Sequence, residues 1–292
     1  MTEQHTEPEP VSTDGQQLAV PLPEEPRPVA VPPVPPVRKD RRVLRAALRW
    51  TAAVAVFAAV GVSAAYGVTR MERTDVPGLG TWADGRWEYP VLVKPPLPSG
   101  SPAPFADTNK AGTHYADLRS LVLPAPKGAE TDEGLEGEDG WLLKEDFLSE
   151  YAEIEEREEF DRLLTDNGLR HIAGRGWRTP DGTHTRIYLL RFDTAAVVDE
   201  LYSDGLAYYD GPGYTIRGGE ESEPDEDFPE AARVGEVTGA VYVEPKPYGV
   251  DHVRHAYLSA GDTLALIVQS RKGETLDVPF RQTVALQSQL LG

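Results

Sequence analysis

The longest apolar stretch of the chain is an uncharged run from Trp50 to Thr69, rich in alanine and valine. As an α-helix rising about 1.5 Å per residue, it would be about 30 Å long, which matches the hydrocarbon thickness of a bilayer. A helix on the surface of a globular domain would ordinarily show one charged or polar face, which this run lacks. The pattern therefore predicts one transmembrane helix over residues 50–69.

Further along, apolar residues recur every three or four positions from Trp141 to Asn167, with a change of phase before Phe160. This period predicts a helix with a bend or a break. Gly168 provides a stop, since glycine readily takes the left-handed conformation that ends helices.

The remaining pattern predicts two hairpins, each followed by a helix. Strands are expected where valine, leucine, tyrosine and isoleucine cluster between turns, at 169–178, 184–192, 237–243, 253–258 and 263–269. Helices are expected at 195–203 and from Asp277 to Leu290. Because residues 264–268 are apolar on both faces, that strand should lie centrally in a covered sheet.

These elements predict the fold class α+β: one transmembrane helix followed by a small antiparallel-sheet domain with helices. Hairpin and helix occur in the same order at 169–203 and 252–290. A duplicated ββα unit, with its helices on one face of the sheet, is therefore a hypothesis for the domain.

Composition divides the chain into five segments. The proline- and glutamate-rich start has too little apolar surface to fold, whereas glycine, proline and serine after the apolar run indicate a spacer. The predicted segments are a disordered tail (1–37), a basic juxtamembrane segment (38–49), the transmembrane helix (50–69), a flexible extracytoplasmic tether (70–114) and an acidic extracytoplasmic α+β domain (115–292).

Basic residues directly before the apolar run predict its orientation. They are Arg38, Lys39, Arg41, Arg42, Arg45 and Arg49, and Trp50 and Tyr66 would lie near the two membrane interfaces. Because basic flanks remain in the cytoplasm, the N-terminus should be cytoplasmic and the domain extracytoplasmic. The predicted location is therefore the cell membrane, with a single pass.

Two features of the run leave alternatives open. The motif Val62-Ser63-Ala64 resembles a signal-peptidase site, so the run is also compatible with a cleaved export signal. Small residues four apart, such as Gly61 and Ala65, would permit close helix contact and self-association in lipid.

Charge and cysteine content limit the function classes. The first 49 residues hold equal numbers of acidic and basic groups, so the net charge of -19 arises from the rest of the chain. Such an acidic domain repels nucleic acid and anionic lipid headgroups. The expected partners are the lipid bilayer, through the apolar run, and an envelope protein or small ligand. The absence of cysteine excludes disulfides and thiolate chemistry. We expect no cofactor and no metal.

Histidines are the main candidates for chemistry. His252 and His255 are three apart in a predicted strand, so they should point to opposite faces and not share a metal. His171 and His184 lie on opposite arms of the first hairpin, with Asp181 and Asp193 near them in sequence. No nucleophile elbow, zinc-protease motif or phosphate-binding loop accompanies them.

Three tyrosines and two acidic loops are the remaining candidates for a binding site. Tyr208, Tyr209 and Tyr214 surround an Asp-Gly-Pro-Gly turn and are candidates for binding a sugar or peptide, with core packing as the alternative. The carboxylates at 132–139 and 220–227 lack the ligand order of an EF-hand, and we interpret them as solvated loops.

The layout resembles a known group of proteins. Arginine far exceeds lysine, and a Pro/Glu-rich tail, the Arg-Lys-Asp-Arg-Arg cluster and an Ala/Val span precede the small domain. This is similar to actinobacterial single-pass membrane proteins of unknown function with a small extracytoplasmic α+β domain. The resemblance is one of architecture and transfers no functional residue.

Three functions are compatible with the sequence. The leading hypothesis is a non-catalytic, membrane-anchored extracytoplasmic protein of the cell envelope that binds a ligand or partner, as a sensor or scaffold. An envelope hydrolase using His171 or His184 with a nearby aspartate is the enzymatic alternative. A subunit of a membrane complex, acting through its tail and transmembrane helix, is the third.

Overall fold

The computed structural model describes residues 42–70, 85–208 and 210–292. The chain forms two compact units, Met1–Asp75 and Val76–Gly292. The helices are α1 (Arg42–Arg70), α2 (Leu118–Leu121), α3 (Lys144–Leu148), α4 (Ile154–Asp166), α5 (Ala195–Leu201) and α6 (Asp277–Leu291). The strands are β1 (Glu130–Thr131), β2 (His171–Arg178), β3 (His184–Arg191), β4 (Glu223–Pro224), β5 (Thr238–Val243), β6 (Asp251–Ala260) and β7 (Thr263–Lys272).

The first unit contains α1, which begins at Arg42 and not at Trp50. Across the described residues, none of the helices is long and apolar enough to cross a membrane. The predicted transmembrane helix over 50–69 is therefore wrong. The helix also takes in Arg45 and Arg49, and much of its apolar surface comes from alanine methyl groups, which contribute little area each.

That correction removes the basis for three further predictions. The bilayer as a partner, self-association within the membrane and a function carried by the spanning helix all depended on residues 50–69 as a membrane anchor. The basic residues Arg38, Lys39 and Arg41 lie outside the described residues.

The second unit is built on one seven-stranded antiparallel sheet, in the order β1-β2-β3-β7-β6-β5-β4. Strand β7 takes the central place, and its residues from Thr263 to Ser270 are buried, as the apolar run at 264–268 predicted. The α+β class follows from this sheet and its separate helices.

Alternation along the strands gives the sheet two buried faces. The aromatic face carries Tyr188, Leu266 and Tyr257, and it packs against α3, α4 and α5. The aliphatic face carries Ile187, Ile267 and Ala256, and it packs against α2, α6 and part of the segment before α2.

The two hairpins share this sheet, because β3 pairs with β7 along its whole length. However, α5 packs on the aromatic face and α6 on the aliphatic face. The predicted duplicated unit with helices on one face is therefore wrong. The amphipathic pattern identifies the apolar side of each helix, but not the face of the sheet that this side covers.

The segment predicted as a tether, 70–114, also differs from the structure. The Trp87 backbone and the Gln282 amide exchange two hydrogen bonds of 2.9 Å, and the hydroxyl groups of Tyr89 and Thr283 lie 3.0 Å apart. His114 is buried and bonded to Asp262. The described part of this segment therefore belongs to the folded domain.

Candidate functional site

A cleft lies at one end of the aromatic face, where the apolar core gives way to polar residues. The sheet register places Arg178, His184, Ser270 and Val253 in one row across β2, β3, β7 and β6. Residues in one row share a face of the sheet. Strand pairing therefore brings together side chains that are far apart in sequence.

Arg186 forms the floor of this cleft. Its Nε donates to Glu150 Oε1 at 2.8 Å, and its Nη1 donates to Ser270 Oγ at 3.1 Å and to His184 Nδ1 at 3.0 Å. The hydroxyl of Tyr188 donates to the same Glu150 oxygen at 2.5 Å. Four contacts thus fix a partly buried guanidinium–carboxylate pair, in which each partner balances the charge of the other.

His184 is held in one tautomer by its neighbours. Arginine can only donate, so Nδ1 must accept from Arg186 and the proton must lie on Nε2. Nε2 then donates to Asp132 Oδ2 at 2.7 Å. Burial, reinforced by the Arg186 charge, lowers the pKa of His184 below its usual value. The ring is therefore neutral at pH 7.

Arg178 and Arg217 also line the cleft, and both are exposed. Neither guanidinium has a hydrogen bond or ion pair with any described residue. Arg178 follows the buried Trp177 at the end of β2, and Arg217 follows the buried Ile216. Trp177 packs in the aliphatic-face cluster, so strand alternation places Arg178 on the opposite, aromatic face, at its polar end.

The cleft has a volume of about 440 Å³. This lies within the range of small-molecule sites. Its remaining wall is formed by the loop before β6 and the start of that strand, namely Gly249, Val250 and Asp251. The arrangement offers two free arginines, one fixed arginine and a carboxylate to a ligand from solvent.

The structure separates the two histidines of the first hairpin. His171 pairs with Arg191 and His184 with Arg178, so they lie at opposite ends of the β2–β3 ladder. His171 is exposed and lies against Trp141, with ring centroids 4.8 Å apart. His184 has a carboxylate partner, but that partner is Asp132.

The two aspartates expected near these histidines are engaged elsewhere. Asp193 accepts two hydrogen bonds from Arg170, at 2.7 and 2.8 Å. Asp181 accepts from the Thr179 hydroxyl at 2.7 Å and from the Thr183 backbone at 2.9 Å. The predicted pairing with Asp181 or Asp193 is therefore wrong.

His252 and His255 are both buried in β6 and point to opposite faces of the sheet. His252 donates from Nε2 to the Glu244 carbonyl at 2.7 Å and accepts at Nδ1 from the Thr275 backbone at 2.9 Å. His255 has no hydrogen-bond partner at either nitrogen and stacks on Tyr242. Within the part of the chain that is described, no cluster of three or more metal-ligating side chains occurs.

The three candidate tyrosines have different environments. Tyr214 is buried and stacks on Phe160 with ring centroids 4.5 Å apart, so it belongs to the core. Tyr208 is 46% exposed, and its hydroxyl donates to the Asp204 carbonyl at 2.5 Å. Tyr209 lies outside the described residues. Neither described tyrosine lines the arginine cleft.

Sequence reasoning did not identify Arg178, Arg186, Arg217 or Glu150 as site residues. One local signal was present: Arg186 is in phase with the buried Tyr188 and Leu190 on β3, so a charged group occupies a core-facing position. A charged residue in such a position needs a partner or a function.

Together, these features define an antiparallel α+β domain with an arginine-lined cleft at one end of its sheet. Among solved structures, the extracellular domain of PknH from Mycobacterium tuberculosis is similar to this chain, with a TM-score of 0.28 and 11% sequence identity. The similarity covers 45% of this chain and 69% of that chain. No protein-family model and no curated protein match the sequence. Function must therefore be inferred from the cleft itself.

Proposed function

We propose that this protein is a non-catalytic, extracytoplasmic binding protein of the cell envelope, with a sensor-like role, and that its cleft binds the anionic group of a small ligand. One observation carries the proposal: Arg178 and Arg217 face a cleft of ligand size without a partner among the described residues. The chain has a net charge of -19, so two unpaired arginines beside one cavity form a local region of positive charge in an otherwise acidic protein.

The chemistry of arginine fits this role. A guanidinium presents paired N–H groups in a plane and can grip a carboxylate or phosphate with two parallel hydrogen bonds. Arg186 adds a third guanidinium that is already held by Glu150, His184 and Ser270. Because its geometry is fixed before a ligand arrives, little conformational entropy is lost on binding.

The geometry of His184 supports a binding role over hydrolysis. A catalytic histidine turns one nitrogen to an orienting carboxylate and leaves the other for a nucleophile. In His184, Asp132 holds Nε2 and Arg186 occupies Nδ1. No ring nitrogen is left to accept a proton from a nucleophile. The hydrolase hypothesis stays a prediction without support from this contact pattern.

The extracytoplasmic location is part of the proposal and is tested separately. The chain lacks cysteine, so an oxidising environment places no constraint on its folding. A protease added to intact cells should degrade the domain. Digestion only after lysis would contradict this location.

Binding is tested on the full chain by NMR titration with sodium acetate and inorganic phosphate at constant ionic strength. We expect saturable shifts of backbone resonances around the cleft. Arg178→Gln and Arg217→Gln should each weaken binding about tenfold, as expected for loss of one charge-assisted hydrogen bond. Both variants should fold, since neither side chain has a partner to lose.

Arg162→Gln is the matched control. Arg162 is exposed on α4, lies outside the cleft and undergoes the same change of charge. It should bind both anions as the unsubstituted chain does. Equal weakening of anion binding in all three variants would mean that net charge alone, and not the cleft, determines binding. The absence of saturable binding would overturn the proposed function.

A further inference from the structure

The cleft contains a free carboxylate as well as free arginines. Asp251 lines it at the start of β6, and its side chain has no hydrogen bond or ion pair with any described residue. Glu150, the other carboxylate that lines the cleft, accepts from Arg186, and Asp132, next to the cleft, accepts from His184. The groups left for a ligand are therefore two cations and one anion.

The strand order separates Asp251 from Arg178. Asp251 lies on β6 and Arg178 on β2, which are three strand spacings apart in the sheet. At about 4.8 Å per spacing, their backbones are about 14 Å apart across the sheet. A compound that contacts both must carry its charges at its two ends.

The charge balance of the cleft favours a ligand without large net charge. Three arginines, Arg178, Arg186 and Arg217, line the cleft with two carboxylates, Glu150 and Asp251. A third carboxylate, Asp132, lies behind the cleft wall on His184, which is neutral. A phosphate dianion would gain from the arginines but would also be repelled by Asp251. A ligand with one carboxylate and one ammonium group matches both signs.

We propose that the cleft binds a short zwitterionic peptide, with its terminal carboxylate on Arg178 and Arg217 and its terminal ammonium on Asp251. This rests on the proposed function, since it uses the same cleft and the same arginines. Val250, which is 77% exposed, also lines the cleft and offers apolar contact to a small side chain. Asp251 acts as an acceptor for up to two ammonium hydrogens.

Calorimetry on the full chain tests this with four probes: L-alanyl-L-alanine, its N-acetyl derivative, its C-terminal amide and sodium acetate. We expect the free dipeptide to bind most tightly. N-acetylation removes the ammonium charge and should weaken binding about tenfold, and amidation should weaken it at least as much. In Asp251→Asn, the free and acetylated dipeptides should bind equally.

Asp166→Asn is the matched control for charge, because Asp166 is exposed at the end of α4 and does not line the cleft. It should retain the preference for the free dipeptide. Equal binding of free and acetylated dipeptide by the unsubstituted chain would overturn this inference and leave the proposed function standing. Failure of every carboxylate probe to bind, acetate included, would overturn both.

Discussion

At the scale of the residue, the aromatic face contains an imidazole that is wholly enclosed. His255 is 0% exposed, neither ring nitrogen has a partner, and the Tyr242 ring lies 5.0 Å away in a stacked arrangement. Burial lowers the pKa of His255 to about 3. The ring is therefore neutral in the folded protein, and its two polar nitrogens lose hydration without compensation.

His255 makes folding stability depend on pH in a defined window. The unfolded chain takes up a proton near pH 6.5, whereas the folded chain does so only near pH 3, so protonation favours unfolding between these values. The contribution of this residue is fully present above pH 6.5 and is lost as the pH falls, at up to ~1.4 kcal/mol per pH unit.

The variant His255→Phe should remove that dependence and keep the stacking on Tyr242. We expect its free energy of unfolding, measured by urea denaturation, to fall less between pH 6.5 and pH 4.5 than that of the unsubstituted chain. Parallel curves for the two proteins over this range would show that His255 is not buried and neutral.

A second buried histidine joins three parts of the chain. His114 Nδ1 lies 2.7 Å from Asp262 Oδ1, and His114 Nε2 lies 2.9 Å from the Leu291 carbonyl. The ring thereby connects the segment before α2, the β6–β7 turn and the end of α6.

Replacement of His114 by leucine should cost about 3–5 kcal/mol in the free energy of unfolding, because it leaves the buried Asp262 carboxylate without its main partner. Adding Asp262→Asn to that variant should recover part of the loss, since the unpaired charge is then gone. Additive losses in the double variant would contradict an energetic coupling between the two residues.

At the scale of the element, the β6–β7 turn shows a close approach of two backbones. Gly261 has a φ of +54°, and a Cβ at this position would lie 2.2 Å from the Gly112 carbonyl oxygen. Gly182, in the β2–β3 turn, has a φ of +86° and open space around it. The two glycines therefore share a positive φ and differ in their surroundings.

Alanine at each position separates these two effects. Gly182→Ala should cost about 1 kcal/mol, the strain of a side chain at positive φ. Gly261→Ala should cost at least ~3 kcal/mol, because the segment around Gly112 must also move. Thermal unfolding of both variants measures the difference, and equal losses would contradict the tight packing of this turn.

The elements themselves were largely predictable from the sequence. The predicted break in 141–167 is confirmed by α3 and α4, and the central strand at 264–268 is confirmed by β7. These are local patterns, set by side-chain period. The contacts of Trp87 and His114 with α6 and the β6–β7 turn join residues far apart in sequence, and no period reveals them.

The site was less predictable for the same reason. Its residues come from β2, β3, β6, β7 and three loops, and it is the strand register and the packing of these loops that bring them together. Glu150 and Arg217 belong to no motif. Their roles follow from contacts across the fold that the chain order does not indicate.

At the scale of the whole molecule, the second unit carries both buried clusters, so it should fold on its own as residues 76–292. A shorter fragment starting at residue 115 lacks the bonds of Trp87 and Tyr89 to α6 and the bond of His114 to Asp262. We expect it to lose at least ~3 kcal/mol or to lack a cooperative transition. Equal melting temperatures for the two fragments would identify 76–114 as a spacer.

Arginine side-chain NMR tests most directly whether the arginine cleft binds a carboxylate. The Nε–Hε signals of Arg178, Arg186 and Arg217 can be identified by the loss of each signal in the corresponding glutamine variant. During titration with L-alanyl-L-alanine, we predict saturable shifts of the Arg178 and Arg217 signals with one common dissociation constant, while the signal of Arg162 stays in place. Unchanged Arg178 and Arg217 signals at saturating peptide, or shifts equal to that of Arg162, would contradict the account.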